Sequence, residues 1–483
     1  MPSTQRHYDL EAFNAVMTPE VADLSQALTV DGDLPEGLQG GSYLLNGPAM
    51  VRLGGRLMHP FDGHGFVRAL RFEGGGARIQ ARFVDTPEWR RESAEQRPLY
   101  RGVGTRVGKG AFSNMLAPKM KNPANTCIQP WAGRLLALYE GGLPYALDPQ
   151  SLETRGLETF DAALEGQRTV LAHTKVDAAR QRLVMMSLRP GPSTGFTFFE
   201  FDAQGRQVAR AEHTCKGMVF LHDFAITESH YVVLENPVDL DVGGLARMLM
   251  GTGSLIGMLK SSPRDARLIA VPRDGGEART IDLGRGLFAV HHAGAFEQDG
   301  RLILDSALFD SFQFGREFGF RGGDLPLDPG VREPGQGQHL TRFTVDLATG
   351  SVETRRLSDW SLDFPRIHPD REGLAYRHVY ACTSTPQGAN DPFTALIALD
   401  LEEGTEQVWG GGEGCFVGEP VFAPRPGGVE ENDGWVLAAV YDGRNEAAFL
   451  GVFDPCDVAA GPIARVHLPG LLPYGFHGTW QAA

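Results

Sequence analysis

Short β-prone runs, each closed by a glycine- or aspartate-rich turn, recur from Gly37 almost to the C-terminus. Ala69–Phe72 runs into Gly74-Gly75-Gly76, Thr197–Phe201 into Asp202-Ala203-Gln204-Gly205, and Leu268–Val271 into Asp274-Gly275-Gly276. Leu302–Leu304, Ala395–Leu399 and Trp435–Val440, the last followed by Asp442-Gly443, repeat the pattern. Sixty-one glycines and 31 prolines in 483 residues leave little room for a sustained amphipathic helix, and strand–turn–strand at this spacing implies an all-β body. A chain this long with only short strands must close on itself or leave long open edges, so a β-propeller is the expected architecture. Residues 1–35 read as a polar lead-in with a short helix and residues 36–483 as one propeller domain, since no low-complexity linker divides them.

Charge and cysteine usage exclude several classes of function. The formal charge of −15 opposes nucleic-acid binding, which depends on neutralising phosphates. Cys127, Cys215, Cys382, Cys415 and Cys456 are widely spaced and odd in number. That suits a reducing compartment and neither a disulfide framework nor a thiolate metal site. Met1–Glu20 lacks a basic region followed by an apolar run, and no apolar stretch is long enough to span a bilayer. A cytoplasmic protein is expected.

Two segments interrupt the rhythm. Residues 101–121 hold Arg101, Arg106, Lys109, Lys119 and Lys121 with no acid, interleaved with Phe112, Met115, Leu116 and Met120. Residues 242–260 are apolar and glycine-rich around Arg247. Both read either as insertions packed on the core or as a peripheral membrane contact made by local basic and apolar groups.

Chemistry concentrates on histidines in apolar surroundings. Read with a period of two, Phe220–Thr227 places Phe220, His222, Phe224 and Ile226 on one strand face. One such imidazole is ordinarily a core residue bonded to a carbonyl. His173 in Leu171-Ala172-His173-Thr174-Lys175, His291 after Leu287–Val290, and His477 in Pro473-Tyr474-Gly475-Phe476-His477 repeat that character. Their wide separation rules out a helical metal motif and fits inner strands of different blades pointing at one axis. Glu140, Asp363 and Glu419 also sit beside apolar groups. A buried carboxylate needs a donor, and a metal-bound imidazole offers its second N–H. Four neutral imidazoles backed by carboxylates suit a divalent first-row metal.

These residues carry a resemblance to the carotenoid cleavage oxygenase family, from about Gly37 to Trp480. It runs through YLLNGP (43–48), HPFDGHG (59–65), LLALYEGGLPYALDP (135–149), LAHTK, FLHDFAIT, HHAGAFE (291–297), DFPRIH (363–368), GEPVFAPRPGG (418–428) and PYGFHGTW (473–480). The resemblance implies a seven-bladed propeller capped by loops and short helices over the active-site face, with Fe(II) on the axis. It places the metal-binding, catalytic set on His173, His222, His291 and His477, choosing His291 over His292. Glu140, Asp363 and Glu419 would stand behind His222, His291 and His477 respectively. Thr126 matches a residue beside an open coordination position, and Tyr139 and Phe61 fall in the substrate and oxygen pocket.

The implied reaction is cleavage of a conjugated C=C bond of an apocarotenoid by O₂, giving two carbonyl products, one of them a retinal-like aldehyde. A stilbenoid-cleaving dioxygenase is the alternative, although stilbene-cleaving members carry Lys where this chain has Tyr139. Three departures from the family pattern, Leu45, His64 and Gly294, keep open a catalytically idle propeller that binds a retinoid.

Overall fold

The computed structural model describes residues 6–107, 112, 114, 120–191, 193–309, 312, 314–330, 337–387, 389 and 392–483. Strands join their sequence neighbours as antiparallel meanders, because the turns between them are too short for crossovers. The result is a seven-bladed β-propeller. The second blade is Cys127–Trp131, Arg134–Leu138, Tyr145–Leu147 and Thr154–Leu157; the third, from Lys175–Asp177 to Gln207–Lys216, follows the same order. The fourth begins with Ala225–Ile226, the fifth with Phe288–Gln298 and the sixth with Leu362–Arg366. All six β-prone runs singled out in the sequence lie within observed strands.

Closure of the ring uses both chain ends. The C-terminal strand Gly478–Gln481 pairs with Ser42–Leu45 in the first blade, and Leu24–Leu28 adds at that blade's other edge. Val30–Gly32 pairs with Pro462–His467 at the edge of the seventh blade. The expected boundary of the lead-in is therefore corrected: residues 24–32 belong to the propeller. Backbone pairing recruits them while their side chains stay largely exposed, so no apolar alternation marks them. The short helix expected in the lead-in is Leu10–Met17, capped by the Asp9 carboxylate on the Glu11 and Ala12 amides.

Apolar packing is spread around the ring. Each pair of neighbouring blades encloses its own cluster: Phe198 and Phe224 lie between the third and fourth blades, and Phe199 and Leu138 between the second and third. The seventh and first blades share a larger cluster that also takes Phe13, Val16 and Met17 of the N-terminal helix. A fully buried phenylalanine contributes about 2 kcal/mol by this burial. Many such wedges hold the blades at fixed angles about the axis.

The helices Pro87–Glu95 and Val242–Leu249 and long connections form a cap over one face. Among the described residues, no helix is long and apolar enough to cross a membrane.

Candidate metal centre

Three of the four singled-out histidines sit just before an inner strand begins. His173 precedes Lys175–Asp177, His222 precedes Ala225–Ile226, and His477 precedes Gly478–Gln481, whereas His291 lies within Phe288–Gln298. The regular strand expected over residues 220–227 is thus limited to Ala225–Ile226. Leu221 and Phe224, assigned to opposite faces by periodicity, join one apolar cluster. The inner edge gives up ladder pairing near the axis, and local bonds replace it: the Asn236 amide donates to Phe220 O, and the Phe224 amide to Asp223 Oδ1.

The four imidazoles converge on the axis, all buried, each with a ring nitrogen within 4.8 Å of the others. His173 Nε2 and His222 Nε2 are 3.0 Å apart. Two nitrogens bound to one ion at about 2.1 Å and at right angles would be separated by about 3.0 Å. His291 Nε2 is buried without a hydrogen-bond partner among the described residues, which is costly unless something at the centre takes its lone pair. These observations fit a metal ion held by four imidazoles.

Behind the rings stand the three carboxylates. Asp363 Oδ1 is 2.8 Å from His291 Nδ1 and Glu419 Oε1 is 2.9 Å from His477 Nδ1, while Glu140 contacts His222 Nδ1. Each acid accepts the Nδ1 proton, which leaves Nε2 free to face the axis. Burial, reinforced by the neighbouring rings, keeps His173 well below the ordinary imidazole pKa. Burial lowers His291 as well, but the Asp363 carboxylate outweighs it and the net shift is upward. Glu419 is buried, yet the Arg366 charge and His477 hold it below the usual carboxylate range. His292 points away, bonding Ser306 through Nδ1 at 2.7 Å.

Sequence periodicity gave no sign of Phe364. Its φ of +54° is strained for a bulky residue, and the pairing register shifts between Asp363 and Arg366. The bulge turns two successive side chains toward the axis. Asp363 reaches His291, and the Phe364 ring packs 5.0 Å from His291 and 5.3 Å from His477. The only advance signal was the DFPRIH motif itself.

On the capped side the centre opens into a chamber of about 540 Å³. Thr126, Tyr139 and Phe61 all line it. Phe61 packs on Phe314, Phe318 and Phe476, and Phe314 lies 5.2 Å from the His222 ring. The backbone carbonyl of Thr126 accepts from the His477 amide, tying the chamber floor to a ring of the centre.

The two interrupting segments meet at this chamber. Ile256 N donates to Val103 O, Arg101 to Met248 O and Arg106 to Thr252 O. Val242, Leu249 and Met250 project outward at 77%, 64% and 54% exposure, and Phe112 at 73%. Lys109, Met115, Leu116 and Lys119 lie outside the described residues. Lys121 corrects the expectation of a basic surface group: it is buried against Glu92, its Nζ 2.8 Å from Oε2.

Each departure from the family pattern has a local compensation. His64 is fully buried and bonds Glu92 Oε2 at 2.7 Å, which forms one network with Lys121. Leu45 faces Arg68 across the sheet, and that guanidinium donates to Pro473 O in the loop leading to His477. A Cβ at Gly294 would crowd Tyr376 and Ile367, at 3.0 and 3.1 Å from their side chains.

A seven-bladed propeller with a four-imidazole axial centre and an aromatic chamber above it defines a class of oxygenase, and the comparisons agree. Residues 16–482 match the retinal pigment epithelial membrane protein (RPE65) family, and the chain belongs to this family of RPE65 proteins and carotenoid cleavage oxygenases. It is 38% identical to the apocarotenoid-15,15'-oxygenase of Synechocystis over 464 residues, 93% of this chain and 92% of that protein. The cobalt-substituted Synechocystis apocarotenoid oxygenase superposes with a TM-score of 0.92 at 34% identity, covering 99% of this chain and 100% of that one. Lignostilbene-alpha,beta-dioxygenase isozyme III of Sphingomonas paucimobilis is 27% identical over 480 residues, 94% of each chain. The protein is an enzyme of the carotenoid cleavage dioxygenase class.

Proposed function

We propose that this chain is an Fe(II)-dependent dioxygenase that cleaves a conjugated double bond of an apocarotenoid, with His173, His222, His291 and His477 holding the iron. The observation that carries this reading is the convergence of four buried imidazoles, three backed by carboxylates, at the floor of an aromatic chamber. Bound there, iron would supply the activation of O₂ that a protein side chain cannot.

The chain's own residues do the rest. Glu140, Asp363 and Glu419 hold the Nδ1 protons and fix the tautomers. Phe61, Phe314, Phe364 and Phe476 give a polyene flat apolar walls, keep water out, and align one double bond over the centre. Thr126 and Tyr139 place polar groups at the chamber wall. The double bond breaks, each carbon takes one oxygen atom of O₂, and two carbonyl compounds leave. This balance needs no external reductant and no acid–base pair.

The outward apolar side chains of residues 242–260, with Arg101 and Arg106 beside them, form a peripheral membrane contact through which an apolar substrate reaches the chamber from a cytoplasmic protein. Cosedimentation with anionic vesicles at low salt tests this; no binding would refute it.

The activity test offers iron-loaded protein an apocarotenal and a hydroxystilbene in turn under O₂. Cleavage of the apocarotenal to a retinal-like aldehyde is expected. Cleavage of the stilbene alone would favour the stilbenoid reading, and a metal-loaded chain that binds a retinoid but turns over neither would favour the idle propeller.

A further inference from the structure

A second cavity, of about 250 Å³, approaches the centre along the propeller axis from the face opposite the chamber. Its lining includes Gln129, Thr174, Lys175, Arg366 and Glu372, and it ends at His173 and His477. His222 and His291 line the aromatic chamber, His477 lines both spaces, and His173 lines only this axial well. The His173 ring is therefore the partition between the well and the centre.

His173 is also the imidazole held least firmly. The other three each have a carboxylate on Nδ1, whereas His173 Nδ1 is 3.9 Å from its nearest carboxylate oxygen, Asp223 Oδ1. Asp223 is engaged elsewhere, by Lys175 Nζ at 3.0 Å and by the amides of Phe224 and His292. Arg366 is likewise matched, lying 3.8 Å from Glu419. That leaves Glu372, whose Oε1 is buried and has no hydrogen-bond partner among the described residues. Burial raises its proton affinity despite the Lys175 and Arg366 charges nearby.

From these features we infer that the metal ion enters and leaves the centre through the axial well, with Glu372 as a transient ligand and His173 as the ring that turns aside. A hydrated dication loses solvation wherever walls are apolar. The chamber would impose that loss among its phenylalanines. The well sets Gln129, Thr174 and the Glu372 carboxyl among its apolar residues, with the charges of Lys175 and Arg366 met by Asp223 and Glu419. Separate routes also let the centre exchange metal while substrate fills the chamber.

This inference rests on the reading of the four imidazoles as the iron site. The test follows Fe(II) transfer, without oxygen, between full-length protein and a coloured water-soluble chelator, after the iron content per chain has been measured. Glu372→Gln is expected to slow loading and release alike by about tenfold, as loss of one partly screened charge beside a dication does, while equilibrium affinity stays within about twofold. Thr174→Phe, which narrows the well, should act the same way. Filling the chamber with a long-chain polyoxyethylene ether should change neither rate. A chain that holds iron but exchanges it at rates indifferent to both substitutions, or one slowed only by the ether, overturns the axial route. A chain that binds no iron removes the site reading first.

Discussion

Replacing Asp363 with asparagine separates charge from shape at the centre. Asp363 is buried, accepts from His291 Nδ1 at 2.8 Å and from Gln338 Nε2 at 3.2 Å. Asparagine is nearly isosteric. Its carbonyl oxygen can still accept from His291, and Gln338 can turn its amide to receive the new NH₂ group. Both hydrogen bonds survive, and the negative charge behind the imidazole does not. Loss of such an outer partner typically lowers metal affinity by about 10- to 100-fold, or about 1.4 to 2.7 kcal/mol. Anaerobic competition between the protein and a chelator of known affinity reads this directly, with urea unfolding of the metal-free protein as control. Metal-free stability should move by less than about 1 kcal/mol, because the fold keeps its packing and its bonds. Unchanged metal affinity in a folded variant would refute the argument that the carboxylate tunes His291. A large loss of metal-free stability would show instead that Asp363 is a structural anchor.

Acidification should weaken the fold through His64. Burial and the Lys121 charge outweigh Glu92 and lower His64 to about 4 from an ordinary 6.5. Between those values the unfolded chain binds the proton and the folded one does not, so stability falls as pH drops from 6.5 to 4, by roughly 3 kcal/mol at most. Glu92, held down to about 2 by His64 and Lys121 against its own burial, extends the loss below its ordinary 4.5; urea titrations of metal-free His64→Asn should give a flatter profile above pH 4, and a profile as steep as wild type would refute the assignment. Arg68→Leu removes a buried guanidinium whose Nε and Nη2 make no hydrogen bond among the described residues, so stability should change by less than about 1 kcal/mol. Metal affinity should nevertheless fall as the Pro473–His477 loop loosens, and Leu45→Arg added to Arg68→Leu should recover it; unaltered affinity in the single variant would end this account. Gly294→Leu must displace Tyr376 and Ile367, with a cost of about 1 to 3 kcal/mol in thermal unfolding; a variant as stable as wild type would mean that the site has room.

Strand periodicity found the blades because their central strands, paired on both edges and covered on both faces, are apolar whichever blade they join. It could not find residues 24–32, whose side chains are largely exposed and whose place is set by pairing with Ala77–Ala81 and Ala464–Val466, far along the chain. Periodicity also misread residues 220–227, since the chain leaves the ladder where it turns His222 to the axis. Lys121 looked like a surface cation because its partner, Glu92, lies on the helix Pro87–Glu95 and is reached only by the fold of the cap.

The sequence by itself determined the material of the site: four histidines in apolar runs, three acids beside apolar groups, and enough short strands to require a closed ring. An apolar run around a polar side chain marks it for burial, and that trace is local. Tertiary structure decided what they make together. Which nitrogen faces the axis, how Phe364 comes to join Asp363 there, and the presence of an aromatic chamber on one side and a polar well on the other all follow from the angles between blades. Those angles are fixed by packing between separate blades, from Phe198 against Phe224 to the seam between the first and last blades, and no stretch of sequence encodes them alone.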